Sequence, residues 1–258
     1  MSILSEIVET VRRQVRKQKE ETPVEEMKIE PIERKSLTEN IETNPNTSII
    51  GELKRTSPSS GVIREDFQPS ELARSIAEGG AVGISVLTEP VYFDGKIEYL
   101  REVSNSVEVP VLRKDFIVEK YQLYQTAASH ADSVLLIAEI LGEELPEFVA
   151  LTKELGMEPL VEVRDEGQVE LAEDAEAKLV GINNRDLKSM EIDLSRFERI
   201  INSIPEGLVT VSESGIEKRQ DVERVTKAGA DAVLVGTAMM ESTDVKGKVL
   251  SLIGDPNG

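Results

Sequence analysis

From residue 48 onward the chain repeats one theme eight times: a short aliphatic run, a turn, and an amphipathic segment of about 10 to 14 residues. The runs fall at 48–53, 81–87, 109–113, 133–137, 158–163, 178–183, 208–212 and 232–236. The segments between them read as helices over 69–78, 97–104, 119–128, 143–155, 165–175, 194–204 and 217–227, and Gly79, Gly80, Gly156 and Gly229 sit where helices should stop. Strict alternation of this kind implies a parallel sheet with right-handed crossovers. An open doubly wound sheet would normally carry a glycine-rich phosphate loop after its first strand, and none is present. The expected fold is therefore α/β, a (β/α)8 TIM barrel, with an additional N-terminal helical extension.

A length of 258 residues suits one such barrel better than two independent domains. Only 3% of residues are aromatic and there is no Trp, so the core must be built from Val, Ile, Leu and Ala, as in strands buried on both faces. Residues 1–47 read as a helical extension and connector, and 48–258 as the barrel, within a single domain. Over 2–19, Ile3, Leu4, Ile7, Val8, Val11 and Val15 share one stripe of a helix. Periodicity leaves two placements open for it, a lid over the mouth or a cover for the bottom. Residues 22–46 are polar, contain Pro23, Pro31 and Pro45, and read as a connector with room for a short helix.

Composition removes several kinds of chemistry. With no Cys there is no disulfide, thiolate nucleophile or cysteine metal site, and a single histidine, His130, leaves no His-dependent triad or multi-histidine metal centre. Acid–base work must fall to Lys, Glu, Asp or polar groups. A formal charge of −19 repels nucleic acid and anionic membrane, and the densest basic stretch, 12–19, is interrupted by Val15 and followed by Glu20 and Glu21. It reads as a solvated helix face. No run of 18 apolar residues exists and the first ten residues lack signal-peptide character, so a cytoplasmic protein is expected. The excess acid fits either salt adaptation or an ordinary low-pI enzyme. The sequence leaves the oligomeric state open, with a monomer as one expectation.

In such a barrel the active site lies at the carboxyl ends of the strands, and those ends are here unusually charged. In IGELKRTSPSSGVI, alternation puts Glu52 and Lys54 on one face, followed by a loop containing Ser57, which suits a charged ligand. The third run ends in Arg113, Lys114 and Asp115, the sixth in Asn183, Asn184 and Arg185, and the seventh in Glu213 and Ser214. Glu162, set among Leu160, Val161 and Val163, is either a structural ion-pair partner or a catalytic carboxylate, because an unpaired charge inside a strand is costly. Gly215, and Gly236 with Thr237 at the start of a short helical stretch, can present backbone N–H groups to an anion, so the ligand is expected to be a phosphate ester.

The segments IGELKRTSPSSGVI, ISVLTEPVYFDG, VPVLRKDFIV, LVEVRDE, GINNRDL, VSESGI and VLVGTAMM, in order from about residue 48 to 240, resemble the indole-3-glycerol phosphate synthase family. The resemblance implies a tryptophan-pathway lyase that closes a ring with loss of carbon dioxide and water, acting on a phosphorylated small molecule without a metal or organic cofactor. It implies catalytic roles for Lys114, Glu162, Lys54 and Glu52, with Lys114 as the acid at the substrate ketone. Ser57, Phe116, Asn183, Arg185, Glu213 and Ser214 would bind substrate, Phe116 packing with residues such as Leu135 against the aromatic ring. Lys54, Ser57, Gly215, Gly236 and Thr237 would hold the phosphate. His130 departs from the family, standing where a helix-ending glycine is usual, and is expected to serve the backbone. Two other readings remain: a non-catalytic phosphosugar-binding barrel, and phosphoribosylanthranilate isomerase, which the absence of Cys disfavours.

Overall fold

In the computed structural model, which describes residues 2–186 and 189–254, eight parallel strands close into a barrel. They are β1 (Ser48–Leu53), β2 (Gly83–Leu87), β3 (Val111–Lys114), β4 (Ser133–Ile137), β5 (Glu158–Val163), β6 (Leu179–Asn183), β7 (Val209–Glu213) and β8 (Ala232–Val235). Each pairs with its sequence neighbours, and β1 closes the ring against β8 with Ser48 opposite Ala232. The outer layer comprises α3 (Pro69–Glu78), α4 (Glu98–Ser104), α5 (Tyr121–Ala128), α7 (Leu145–Glu154), α8 (Glu166–Asp174), α9 (Ser195–Ile200), α10 (Arg219–Ala228) and α12 (Val245–Ile253), with the single turns α6 (Ala138–Leu141) and α11 (Thr237–Met240).

Strand alternation divides the core in two. Outward residues such as Ile49, Ile84, Val86, Val134 and Val161 pack under the helices, while inward Ile50, Leu112, Leu135, Leu160, Leu179 and Leu234 fill the barrel. The anticipated helix stops are real: Gly80, Gly156 and Gly229 have φ of 94°, 75° and 116°. His130 follows α5 with φ 64°, the left-handed position that usually falls to glycine, and its Nε2 lies 3.1 Å from Glu30 Oε2.

Among the described residues two α-helices precede the barrel and lie at opposite ends of it. The first, α1 (Ile3–Glu21), is capped by Ser2 and buries Leu4, Ile7, Val11 and Val15. Its last turn meets the start of α5, where the Tyr121 hydroxyl donates to the carbonyls of Gln18 and Thr22, and its first turn reaches the barrel mouth beside Phe93 and Phe116. The connector then descends along α5, with Arg34 donating to the carbonyls of Ala127 and Ala131. The second, α2 (Leu37–Thr43), lies under the barrel floor. Glu158, at the start of β5, accepts from the Leu37 and Thr38 amides at 2.7 and 3.1 Å, and Leu37 fills the space left by Gly83. The lid and the floor cover, which the sequence left as alternatives for one helix, are thus two separate helices.

Candidate active site

At the carboxyl ends of the strands lies a cavity of about 460 Å³. Strand alternation aims the charges into it. Glu52, Lys114, Glu162, Asn183 and Glu213 each stand at or near the last inward position of their strand, with Lys54 just beyond β1. Lys114 Nζ is 2.9 Å from Glu213 Oε2 and 3.3 Å from Glu162 Oε2. In the same cavity Lys54 Nζ is 2.9 Å from Glu52 Oε1.

Electrostatics keep the central lysine charged. Burial alone would lower its proton affinity, but the carboxylates of Glu213, Glu162 and Glu52 outweigh it and raise the Lys114 pKa. Glu213, only 1% exposed, is pushed up to about 7 by its own burial, against the pull of Lys114 and with a further push from Glu162. Arg185 is lowered by burial, opposed by Glu52. Among the described residues no group of three or more His, Asp or Glu is arranged to hold a metal ion.

One wall of the cavity is apolar: Leu87, Phe93, Phe116, Leu135 and Ile137 line it from β2, β4 and the loops after β2 and β3, with the rings of Phe93 and Phe116 6.2 Å apart, while Leu234 faces the cavity from β8 on the far side of the barrel. Elsewhere on its lining, Ser214 and Gly215 are consecutive left-handed residues, φ 66° and 82°, and Gly236 caps α11, whose first residue is Thr237. Such a turn and a helix start both expose amide N–H groups.

The structure brings together Glu52, Lys54, Lys114, Phe116, Glu162, Asn183, Arg185, Glu213, Ser214, Gly215, Gly236 and Thr237 around this one cavity. Ser57 stands apart. It lines a recess of about 70 Å³ between the first turn of α1 and the loop, and its hydroxyl accepts from the Ser60 amide at 3.1 Å, while Ser59 and Ser60 reach the main cavity. Arg113 turns outward, to Asp115 at 2.7 Å and to Gln122 and Thr126 of α5. Asn184 is also internal, donating to Ser212 Oγ and to the carbonyls of Glu213 and Ser214. Phe93 was not anticipated, although an aromatic residue just after a strand in a chain with so few of them is a usable signal. Buried Glu89 shapes the turn that carries it, accepting from the amides of Val91 and Tyr92.

Comparisons with known proteins agree with this geometry. A family model described as indole-3-glycerol phosphate synthase matches residues 4–252. The chain is 39% identical over 258 residues to an indole-3-glycerol phosphate synthase of Thermoanaerobacter pseudethanolicus, covering 99% of each protein. To one from Salinibacter ruber it is 41% identical over 248 residues, 94% of this chain and 92% of that one. Among solved structures, a thiamine phosphate pyrophosphorylase from Pyrococcus furiosus matches with a TM-score of 0.59 over 80% of this chain and 93% of that one, at 18% identity, a likeness of fold alone. A barrel with two lysine–carboxylate pairs in its mouth, matched by a family model over nearly its whole length, belongs to the indole-3-glycerol phosphate synthase family.

Proposed function

We propose that this site closes the ring of 1-(2-carboxyphenylamino)-1-deoxyribulose 5-phosphate to give indole-3-glycerol phosphate, releasing carbon dioxide and water. The observation that carries the reading is Lys114 Nζ held between the Glu213 and Glu162 carboxylates in the same cavity as the Lys54–Glu52 pair. The aryl carbon that bears the carboxylate attacks the ketone carbon, and Lys114 gives a proton to the ketone oxygen as charge develops there. The carboxylate leaves as carbon dioxide, returning its bonding electrons to the ring. Lys54, steadied by Glu52, protonates the departing hydroxyl, which leaves as water. Glu162 takes the proton released on aromatisation and, hydrogen-bonded to Lys114, returns it to that lysine, while solvent supplies the one proton that decarboxylation of the anionic substrate consumes and so recharges Lys54.

The apolar wall with Phe93 and Phe116 receives the aryl ring, and the amides around Gly215, Gly236 and Thr237 receive the phosphate. Asn183, Arg185 and Ser214 orient the sugar hydroxyls, and Ser57 acts on the loop that covers them. No cofactor enters these steps. Residues 1–47 and the barrel work as one unit, since α1 and α2 share a buried apolar cluster with the inward barrel residues. A cytoplasmic monomer with no nucleic-acid or membrane partner fits the net charge of −19.

The test is to incubate the purified protein with the carboxyphenylamino ribulose phosphate and follow indole fluorescence. The wild type should turn over, and Lys114→Ala should lower kcat by at least about 100-fold while KM changes far less. Absence of fluorescence from the wild type would refute the function, and near-normal turnover in Lys114→Ala would refute the role.

A further inference from the structure

Gly181 lies within β6, and its neighbours in register are Glu162 on β5 and Val211 on β7. The alternation that turns Leu179 and Asn183 inward turns position 181 inward as well. A β-carbon there would stand 2.1 Å from Glu213 Oε1 and 3.2 Å from its Cδ. We propose that Gly181 is a positioning residue for the reaction: the Glu213 carboxylate occupies the space where its side chain would be, and that occupancy sets the Lys114–Glu213 pair.

Glu213 is 1% exposed, and among the described residues its oxygens have no hydrogen-bond donor beyond the Lys114 ammonium, 2.9 Å from Oε2. With so few partners to hold it, the carboxylate is placed by packing. Its Oε1 end rests over the bare Cα of residue 181 while its Oε2 end faces the lysine. The backbone at 181 is extended strand, which any residue adopts, so Ala adds no backbone strain. The clash falls on the tip of a flexible side chain, whereas Leu160 Cδ1 stays at an ordinary 3.4 Å. The barrel can therefore tolerate Gly181→Ala in a way that the ion pair cannot.

Displacing Glu213 changes the field on Lys114. The ammonium faces Glu213 from β7, Glu162 from β5 and Glu52 from β1, with Lys54 and Arg185 as the nearby cations of the same cavity. Loss of its nearest carboxylate makes Lys114 give up its proton at lower pH.

The experiment is trace labelling of Gly181→Ala and wild type with acetic anhydride across pH, reading Lys114 by mass spectrometry beside kcat and KM. Expected in Gly181→Ala are about tenfold faster Lys114 labelling, an alkaline limb of kcat moved to lower pH, and kcat down about tenfold with KM within about threefold. Unchanged labelling and an unmoved limb would overturn the proposal. In a Glu213→Asp background the shorter acid leaves the space, so the same glycine change should cost less than about twofold; an equal cost in both backgrounds would also overturn it. Should Gly181→Ala fail to fold, recovery of folding in the double variant is the expected result, and failure in both is the overturning one. The proposal rests on Lys114 acting as the acid, but the two can fail separately: full turnover in Lys114→Ala would defeat the reaction scheme, and unchanged labelling in Gly181→Ala would defeat this inference.

Discussion

The carboxylate of Glu52 lies against the bare backbone of Gly236, just past the end of the adjacent strand β8, such that a β-carbon at 236 would stand 2.3 Å from Glu52 Oε1 and 3.1 Å from Lys54 Nζ. Gly236 therefore does more than expose amides at the start of α11. Gly236→Ala is expected to lower kcat by about tenfold in addition to raising KM, because it displaces the ion pair. A β-carbon at Gly215 would meet Ile192 and Leu194 first, and at φ 82° it would also strain the turn that presents the amides, so Gly215→Ala should act mainly on KM. Steady-state kinetics of the two variants separates these outcomes.

Glu213 makes stability depend on pH. Burial raises its pKa from 4.5 to about 7, so between those values the folded state holds more protons than the unfolded state. This contribution is greatest below pH 4.5 and is lost as pH rises toward 7. Melting curves from pH 5 to 8 should show a decline in Tm for the wild type that is shallower in Glu213→Gln. Parallel slopes would show that this carboxyl does not titrate in the window.

Gly51 is required by packing. A β-carbon there would lie 2.3 Å from Ile76 Cγ2, between β1 and α3. Gly51→Ala should cost about 1–3 kcal/mol as the helix shifts outward. Urea unfolding reads this as a lower midpoint at constant m-value.

Salt should stabilise the protein. With a net charge of −19, self-repulsion opposes the compact state, and screening relieves it. Raising potassium chloride from about 0.05 M to about 1 M is expected to raise Tm by several degrees. No rise would dismiss salt adaptation as the reason for the acidity.

The strands were legible because both signals that define them are local: aliphatic runs of the right length, and turn residues between them. Ser48–Leu53, Ser133–Ile137 and Glu158–Val163 match the expected bounds, and so does the helix Pro69–Glu78. Edges moved where pairing decides them. β2 begins at Gly83 and not at 81, and β7 reaches Glu213 because that residue still pairs with Asn183. The expected helix over 143–155 starts as a 3-10 turn, Gly142–Glu144, and becomes α-helical at Leu145, just ahead of Pro146.

The charged half of the site was readable for a different reason: an acid or a lysine inside an aliphatic strand has few explanations. Its apolar half was read only at Phe116 and Leu135, through the family resemblance, since Leu87, Ile137 and Leu234 look in sequence like any other core residue and acquire meaning only from facing the cavity. Ser57 and Ser59 were indistinguishable until the fold set Ser57 in the paired strand Thr56–Ser57, beside the recess at α1, and Ser59 in the turn after it, on the main cavity. Gly181 and Gly236 show the same limit, because what a missing side chain makes room for is written on another strand.

The segment from α1 to α2 is a strap. It roofs the barrel at one end, runs down the flank of α5, and plugs the other end through Leu37 beneath Glu158. The two openings of the cylinder are thereby mechanically joined, and a single backbone cut in the polar stretch between the helices would divorce roof from floor while leaving the staves of the cask intact.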